Sequence, residues 1–192
     1  MEDVITEGIP DNYNRILSKS EEIGFTMPSD LYIGSFLKTL VASKPGGSFL
    51  ELGTGLGLSL SWMDEGMDTR SRIISVDNDP KLVEIAKSFF GEKENVELVC
   101  ADGNDWIRQN EDTKFDLIFA DAWPGKFNLL EETLALLKSG GYYVIDDLSP
   151  QENWPEGHRE KVDRLLITLD ERPDLVLTKM NWSTGLILAT KK

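Results

Sequence analysis

The sequence predicts an α/β fold: a seven-stranded, mostly parallel sheet with helices on both faces and an antiparallel last strand. Strand-like runs at 48–53, 72–77, 95–100, 115–121, 141–146, 174–179 and 185–190 alternate with helical patterns at 57–65, 80–90, 103–110, 127–138 and 157–171. Such alternation needs crossover connections, which make parallel strands covered on both sides. The last two runs break the alternation, because the link between them has no room for a helix. They form a hairpin, so the final strand enters the sheet antiparallel. The third observation is the run of residues 49–59, Phe-Leu-Glu-Leu-Gly-Thr-Gly-Leu-Gly-Leu-Ser, which reads as a strand, a tight glycine turn and a helix start.

In chain order, a polar opening segment precedes a helix over 29–43, with Ser29 as its N-cap and Ile33, Leu37, Leu40 and Val41 on one face. Lys44-Pro45-Gly46-Gly47 stops it before the first strand. Asp79 and Pro80 supply a cap and a first-turn proline for the helix at 80–90. Phe127, Leu130, Leu134 and Leu137 form one apolar stripe, and Val162, Leu165, Leu166 and Leu169 another. No repeat, low-complexity stretch or linker divides the chain, so 1–192 reads as a single domain, with a helical cover over 1–45 and the sheet-bearing core over 46–192.

Composition narrows the function. A chain of 192 residues is long enough for a full hydrophobic core. A net charge of −14 without a basic cluster argues against a nucleic-acid partner. The apolar stretches are too short to cross a bilayer, and Met-Glu-Asp-Val lacks the shape of a secretory signal, so a soluble cytoplasmic protein without membrane partners is expected. The single Cys100 excludes an internal disulfide, and its apolar surroundings predict a buried structural thiol.

The glycine turn carries the chemistry. Gly53, Gly55 and Gly57 allow a tight turn and leave room for a ligand against the backbone. Glu51 lies before the glycines at the strand end, where a carboxylate disfavours a pyrophosphate and suits a cation. A sulfonium cofactor with an amino-acid tail, S-adenosylmethionine, fits that combination better than a dinucleotide. In an open α/β sheet the ligand lies outside the carboxyl ends of the strands. Asp77, ending the second strand, is placed to accept from both ribose hydroxyls. Asp102 is a candidate acceptor for the adenine amino group, with Gly103 letting the ring lie close; a plain helix cap is the alternative for Asp102. Trp106 reads either as an adenine neighbour or as a core residue. Asp121, Asp146 and Asp147 end the fourth and fifth strands, and adjacent strand ends bring three carboxylates together. Three such anions repel unless a cation joins them or one takes up a proton. Oxygen donors suit Mg²⁺, Mn²⁺ or Ca²⁺ rather than zinc. Without a metal, the same acids would orient a substrate.

From about Phe25 onward the pattern resembles the class I S-adenosylmethionine-dependent methyltransferases, with their Rossmann-like fold. Within them it resembles the cation-dependent O-methyltransferases related to catechol and caffeoyl-CoA O-methyltransferase. The resemblance implies that Phe25-Thr26-Met27-Pro28-Ser29-Asp30 closes over the cofactor and that Ser59 helps hold the methionine carboxylate. It implies a divalent cation on Asp121, Asp146 and Asp147, with Asp147 standing where the family has asparagine. It also implies a catalytic lysine as general base. The family lysine lies three residues after the first metal-binding acid, where this chain has Pro124; Lys126, five residues after Asp121, is the candidate, an exposed helix-start lysine being the alternative. A homodimer and a small-molecule methyl acceptor are further implications.

Trp123, Trp154 and Trp182 fall in loops near the site and suit a planar acceptor, a hairpin core residue being the alternative for Trp182; residues 148–157 form the expected lid, and the lone His158 is expected in solvent. The expected function is methyl transfer to a hydroxyl of a small aromatic molecule, assisted by a divalent cation. The alternatives are a metal-independent O- or N-methyltransferase, an aminopropyl transferase, and a cofactor-binding protein without catalysis. The aminopropyl donor has no carboxylate for Ser59, and a relict protein has no need of three clustered acids.

Overall fold

Seven strands, β1 (Ser48–Leu52), β2 (Arg72–Asp77), β3 (Val96–Cys100), β4 (Phe115–Ala120), β5 (Leu137–Ile145), β6 (Leu175–Met180) and β7 (Leu186–Lys191), form one sheet in the order β3-β2-β1-β4-β5-β7-β6. The computed structural model describes residues 8–151 and 154–192. Residues 152 and 153 of the expected lid, and 1–7 of the expected cover, lie outside the described residues. Strands β1 to β5 pair in parallel, and β7 runs antiparallel to both β5 and β6. The predicted hairpin and final antiparallel strand are therefore present. Strand order reverses between β1 and β4, which opens a crevice outside their carboxyl ends.

Strand alternation sorts the core into two layers. Leu50, Leu52, Ile118 and Ala120 pack on one face with Leu165 and Leu169. Phe49, Leu117 and Phe119 pack on the other with Ile33, Leu37, Trp62 and Phe90. Trp106 is buried against Phe115, a core residue rather than an adenine neighbour. Among the described residues no helix is long and apolar enough to cross a membrane.

Several elements differ from expectation. The opening segment contains α1 (Tyr13–Ile23), which buries Tyr13, Ile16 and Ser20 and sets Tyr13 edge-on to Trp62 at 5.8 Å. Helix α2 (Leu31–Ala42) is capped by Asp30, not Ser29: its carboxylate accepts from the Tyr32 and Ile33 amides at 2.9 and 3.0 Å. Helices α3 (Leu58–Gly66), α4 (Pro80–Phe90) and α5 (Gly103–Gln109) lie close to their predicted spans. After β4 comes a single irregular turn, α6 (Trp123–Lys126), in which Pro124 and Gly125 leave helical geometry. The stripe from Phe127 to Leu137 is divided between α7 (Leu130–Ala135) and the start of β5, where Leu137 pairs with Phe115. Helix α8 (His158–Asp170) precedes the last hairpin. Cys100 is exposed, a correction explained by β3 being an edge strand.

Candidate active site

The carboxyl ends of the first five strands open into one cleft of about 920 Å³. Its floor is the glycine turn. Gly53 and Gly55 have φ of 104° and 52°, and a Cβ on Gly53 would stand 2.9 Å from the Asp121 carbonyl oxygen. The backbone there is held open by its own sequence, a cradle that any side chain would fill. Asp77 ties the turn to β2. Its two carboxylate oxygens accept from the Gly55 amide at 2.8 Å and the Asp79 amide at 2.9 Å, and the side chain borders the cleft. Each oxygen has a second acceptor site. Gly57, with φ 94°, opens α3 against Phe90 and is not part of the cleft wall.

Glu51 and Ser59 are placed differently from expectation. Neither reaches the cleft wall; the Ser59 hydroxyl donates to Glu51 at 2.5 Å, and Ser75 donates to its other oxygen. Burial pushes the Glu51 carboxyl up to about 7, against the pull of these two hydroxyls. The pair braces the turn from beneath.

At the far end of the cleft, Asp102 caps α5, accepting from the Asn104 and Asp105 amides at 2.8 and 3.1 Å, and also borders the cleft. The Asp105 amide, followed by that of Asn104, holds its carboxyl below the usual range. Gly103 lets the chain pass Pro124, whose ring carbons would lie 2.8 Å from an added Cβ. Phe25, Thr26, Met27 and Pro28 form a wall over the floor. Their segment is anchored where Tyr32 and Phe36 pack on Trp182, ring centres 5.3 and 6.3 Å apart. Trp182 is therefore an anchor of the cover rather than a wall of the cleft.

The other end gathers charge. Asp121, Lys126, Asp146 and Asp147 all border the cleft. Lys126 is buried, and its ammonium donates to the Asp146 carbonyl at 2.6 Å and the Asp147 carbonyl at 3.2 Å, with Asp147 Oδ2 at 3.9 Å. Extended backbone would turn successive carbonyls to opposite sides. Here Asp147 adopts the left-handed region at φ 58° and both carbonyls meet one ammonium. Burial pulls the Lys126 amine down, opposed by Asp121, Asp147 and Asp146. Burial also pushes Asp121 well above the carboxylate range, as does Asp146, while Lys126 opposes them. Asp146 is pushed up by burial to about 6, although Thr184 and the Asp147 amide donate to it.

Three residues complete this end: Thr184, which the sequence did not single out, and Ser29 and His158, to which it gave other places. Thr184, at the tip of the last hairpin, donates to Asp146 Oδ1. The predicted hairpin was the signal, because antiparallel pairing of β5 and β7 sets the hairpin link beside the end of β5. Ser29 Oγ lies 3.5 Å from Asp121 Oδ2. His158, expected in solvent, is only 5 % exposed. Its ring lies edge-on to Phe127 and tilted against Trp154, at 5.1 and 4.5 Å. Neither ring nitrogen has a hydrogen-bond partner among the described residues, and Nε2 is 3.8 Å from Asp147 Oδ2. Trp154 donates to Asp147 Oδ1 at 2.9 Å and, with Trp123, walls the cleft.

The donor set at this end does not fit a divalent cation as arranged. Among the described residues no group of three or more His, Cys, Asp or Glu side chains is disposed to hold a metal. Asp146 Oδ1 accepts from Thr184 and a backbone amide, Asp147 Oδ1 accepts from an indole, and an ammonium lies 3.9 Å from Asp147 Oδ2. The opposite end suits a nucleoside: a glycine cradle, a strand-end carboxylate and a second acid beside a glycine.

A family model described as O-methyltransferase matches residues 17–187. A Mycobacterium leprae protein described as "putative O-methyltransferase" is 30 % identical over 132 residues, 66 % of this chain and 58 % of that protein. The chain thus spans little more than half the length of the curated relatives it matches. An O-methyltransferase from Bacillus cereus, solved in complex with S-adenosylhomocysteine, superposes with a TM-score of 0.85 at 22 % identity, covering 98 % of this chain and 94 % of that one. The Streptomyces achromogenes O-methyltransferase TomG, involved in tomaymycin synthesis and solved with S-adenosylmethionine, gives 0.84 at 20 % identity, covering 99 % and 92 %. At these identities the structural matches speak for the fold.

Proposed function

The chain belongs to the O-methyltransferase family, and from that premise we propose that it transfers a methyl group from S-adenosylmethionine to a hydroxyl of a small aromatic molecule. The observation that carries the proposal is a single cleft running from the glycine turn, Asp77 and Asp102 to Asp121 and Lys126. S-Adenosylmethionine, when bound, supplies a methyl group on a positively charged sulfur and leaves as S-adenosylhomocysteine.

In this reading the turn at Gly53 and Gly55 admits the cofactor against the backbone, Asp77 accepts from the ribose hydroxyls, and Asp102 with Gly103 borders the adenine. Thr26 and its neighbours cover the cofactor and exclude water. Glu51, Ser59 and Gly57 contribute through the shape of the turn rather than by contact. Lys126 and Asp121 face the acceptor. Lys126 orients the hydroxyl and stabilises the charge growing on its oxygen, and Asp121, which borders the same end of the cleft, takes the proton. Trp123, Trp154 and His158 provide aromatic surface for a planar ring. The cation that the resemblance implies at Asp121, Asp146 and Asp147 has no step in this reading, because those donors do not fit it.

The test is calorimetric titration of S-adenosylmethionine into the full chain, then detection of S-adenosylhomocysteine formation across a panel of catechols and phenols. Saturable one-to-one binding and turnover on a hydroxyl acceptor support the proposal. Absence of cofactor binding removes it.

A further inference from the structure

We propose that the Lys126 ammonium, seated on the backbone carbonyls of Asp146 and Asp147, supplies at the acceptor the positive charge a divalent cation would supply, so that methyl transfer in this chain proceeds without a metal. The inference rests on the methyl-transfer reading above and adds the source of positive charge at the acceptor.

The argument begins with the turn after β4. Its Pro124-Gly125 step makes the spacing from Asp121 to Lys126 two residues longer than in the resembling family. Gly125 takes φ 80°, and a Cβ there would stand 2.5 Å from Leu52 Cδ1. The Gly125 amide donates to the Asn128 carbonyl at 2.8 Å, and the Tyr143 hydroxyl donates to the Gly125 carbonyl. The turn is thus fixed at both backbone groups and pressed onto the core, and it sends Lys126 inward to the strand ends. A lysine at this position reaches the cluster because of that turn.

The receiving end holds an ammonium. Two consecutive backbone carbonyls accept from Nζ, and Asp147 Oδ2 is close enough to pair with it. An ammonium has three donors, and the two carbonyl bonds leave a third. Lys126 borders the cleft, where that donor can meet an acceptor oxygen. The surrounding acids are turned by their own partners: Thr184 and the Asp147 amide hold Asp146 through Oδ1, and the Trp154 indole holds Asp147 through Oδ1. A divalent ion entering here would have to expel the ammonium or accept its repulsion at close range. A phenolic oxygen gains from Lys126 what it would gain from a bound metal, an adjacent positive charge that favours its anion.

The probe is Mn²⁺, titrated into the chelator-stripped full chain with S-adenosylhomocysteine present and followed by the electron paramagnetic resonance signal of free ion. The wild-type chain is expected to bind no stoichiometric Mn²⁺ at about 0.1 mM, the lower edge of weak protein cation sites. The Lys126→Met chain, which frees the acids, is expected to bind it at least about tenfold more tightly, because a like charge at close range is removed. One Mn²⁺ per wild-type chain, weakened in Asp147→Asn, overturns the proposal. In turnover, saturating chelator is expected to change the wild-type rate less than about twofold, and Lys126→Met is expected to lose it while retaining cofactor affinity. A rate abolished by chelation and restored by Mg²⁺ overturns the proposal, as does full turnover in Lys126→Met. If Lys126→Met does not fold, the wild-type titration decides alone. Failure of S-adenosylhomocysteine to bind strikes instead at the methyl-transfer reading and registers separately in the same cell.

Discussion

Replacing Glu51 by Gln should make the protein more stable at neutral pH and leave it little changed in mild acid. Glu51 is fully buried, and its carboxyl is raised from 4.5 to about 7, chiefly by desolvation. At about 1.36 kcal/mol per pKa unit, carrying its charge in the folded state costs roughly 3 kcal/mol relative to the unfolded chain. The sign follows from the raised folded value. Protonated Glu51 costs nothing below about pH 4.5, and the cost grows as pH rises until the group is ionised in both states, above about 7. Gln carries no charge at any pH and matches the shape. The stability difference between Glu51→Gln and wild type should therefore grow by roughly 2–3 kcal/mol from pH 5 to pH 8. Urea unfolding of the ligand-free chains at several pH values, with m-values checked for equality, measures it. A difference that stays flat across this range refutes the argument, because it would mean that the two serine hydroxyls fully offset the burial.

Asp77→Asn should weaken S-adenosylmethionine binding about ten- to a hundredfold, the worth of one charge-assisted hydrogen bond to a ligand hydroxyl, and calorimetry showing unchanged affinity would remove Asp77 from the cofactor site. His158→Ala should raise the acceptor KM about tenfold while leaving cofactor affinity within a factor of two, since the imidazole and its unpartnered nitrogens border the acceptor end only. An equal loss of cofactor affinity would mark His158 as structural. Trp182→Ala should cost about 2–3 kcal/mol of stability, because it strips the surface on which Tyr32 and Phe36 pack, and should speed cofactor dissociation as the Phe25–Asp30 wall loosens. Stopped-flow dissociation at the wild-type rate would show that the wall is held by other contacts.

The fold was legible because its signals are periodic. Alternating strands and helices dictate the crossover topology, and the short 180–185 link leaves only a hairpin. What escaped notice lacks a clean period. In α1 the inward positions are Tyr13, Ile16 and Ser20, with a serine where an apolar residue would have announced a helix. The stripe from Phe127 to Leu137 has helical spacing, yet two elements share it, because the end of α7 and the start of β5 bury their side chains in the same layer. Leu129 in the left-handed region shows where the helix had to be started afresh. Cys100 looked buried because its neighbours are apolar, but a strand at the sheet edge exposes what an inner strand would cover.

The site was legible to the extent that strand ends dictate it. Asp77, Asp102, Asp121, Asp146 and Asp147 reach the cleft because each ends or follows a parallel strand at its carboxyl end. Glu51 has the same kind of address one residue earlier, and that residue turns its side chain inward to Ser59 and Ser75. Spacing left Lys126 open between a site lysine and an exposed one, since counting residues from Asp121 gives distance along the chain and not the direction set by Gly125. Two departures from the family pattern, an aspartate in place of asparagine at 147 and a lysine displaced to 126, read as separate defects in the sequence. In the fold they are neighbours: Lys126 Nζ lies 3.9 Å from Asp147 Oδ2 and donates hydrogen bonds to the backbone carbonyls of both strand-end acids. The added anion meets the relocated cation. A carboxylate at 147 favours the neighbouring ammonium by charge, where an asparagine would offer only a dipole.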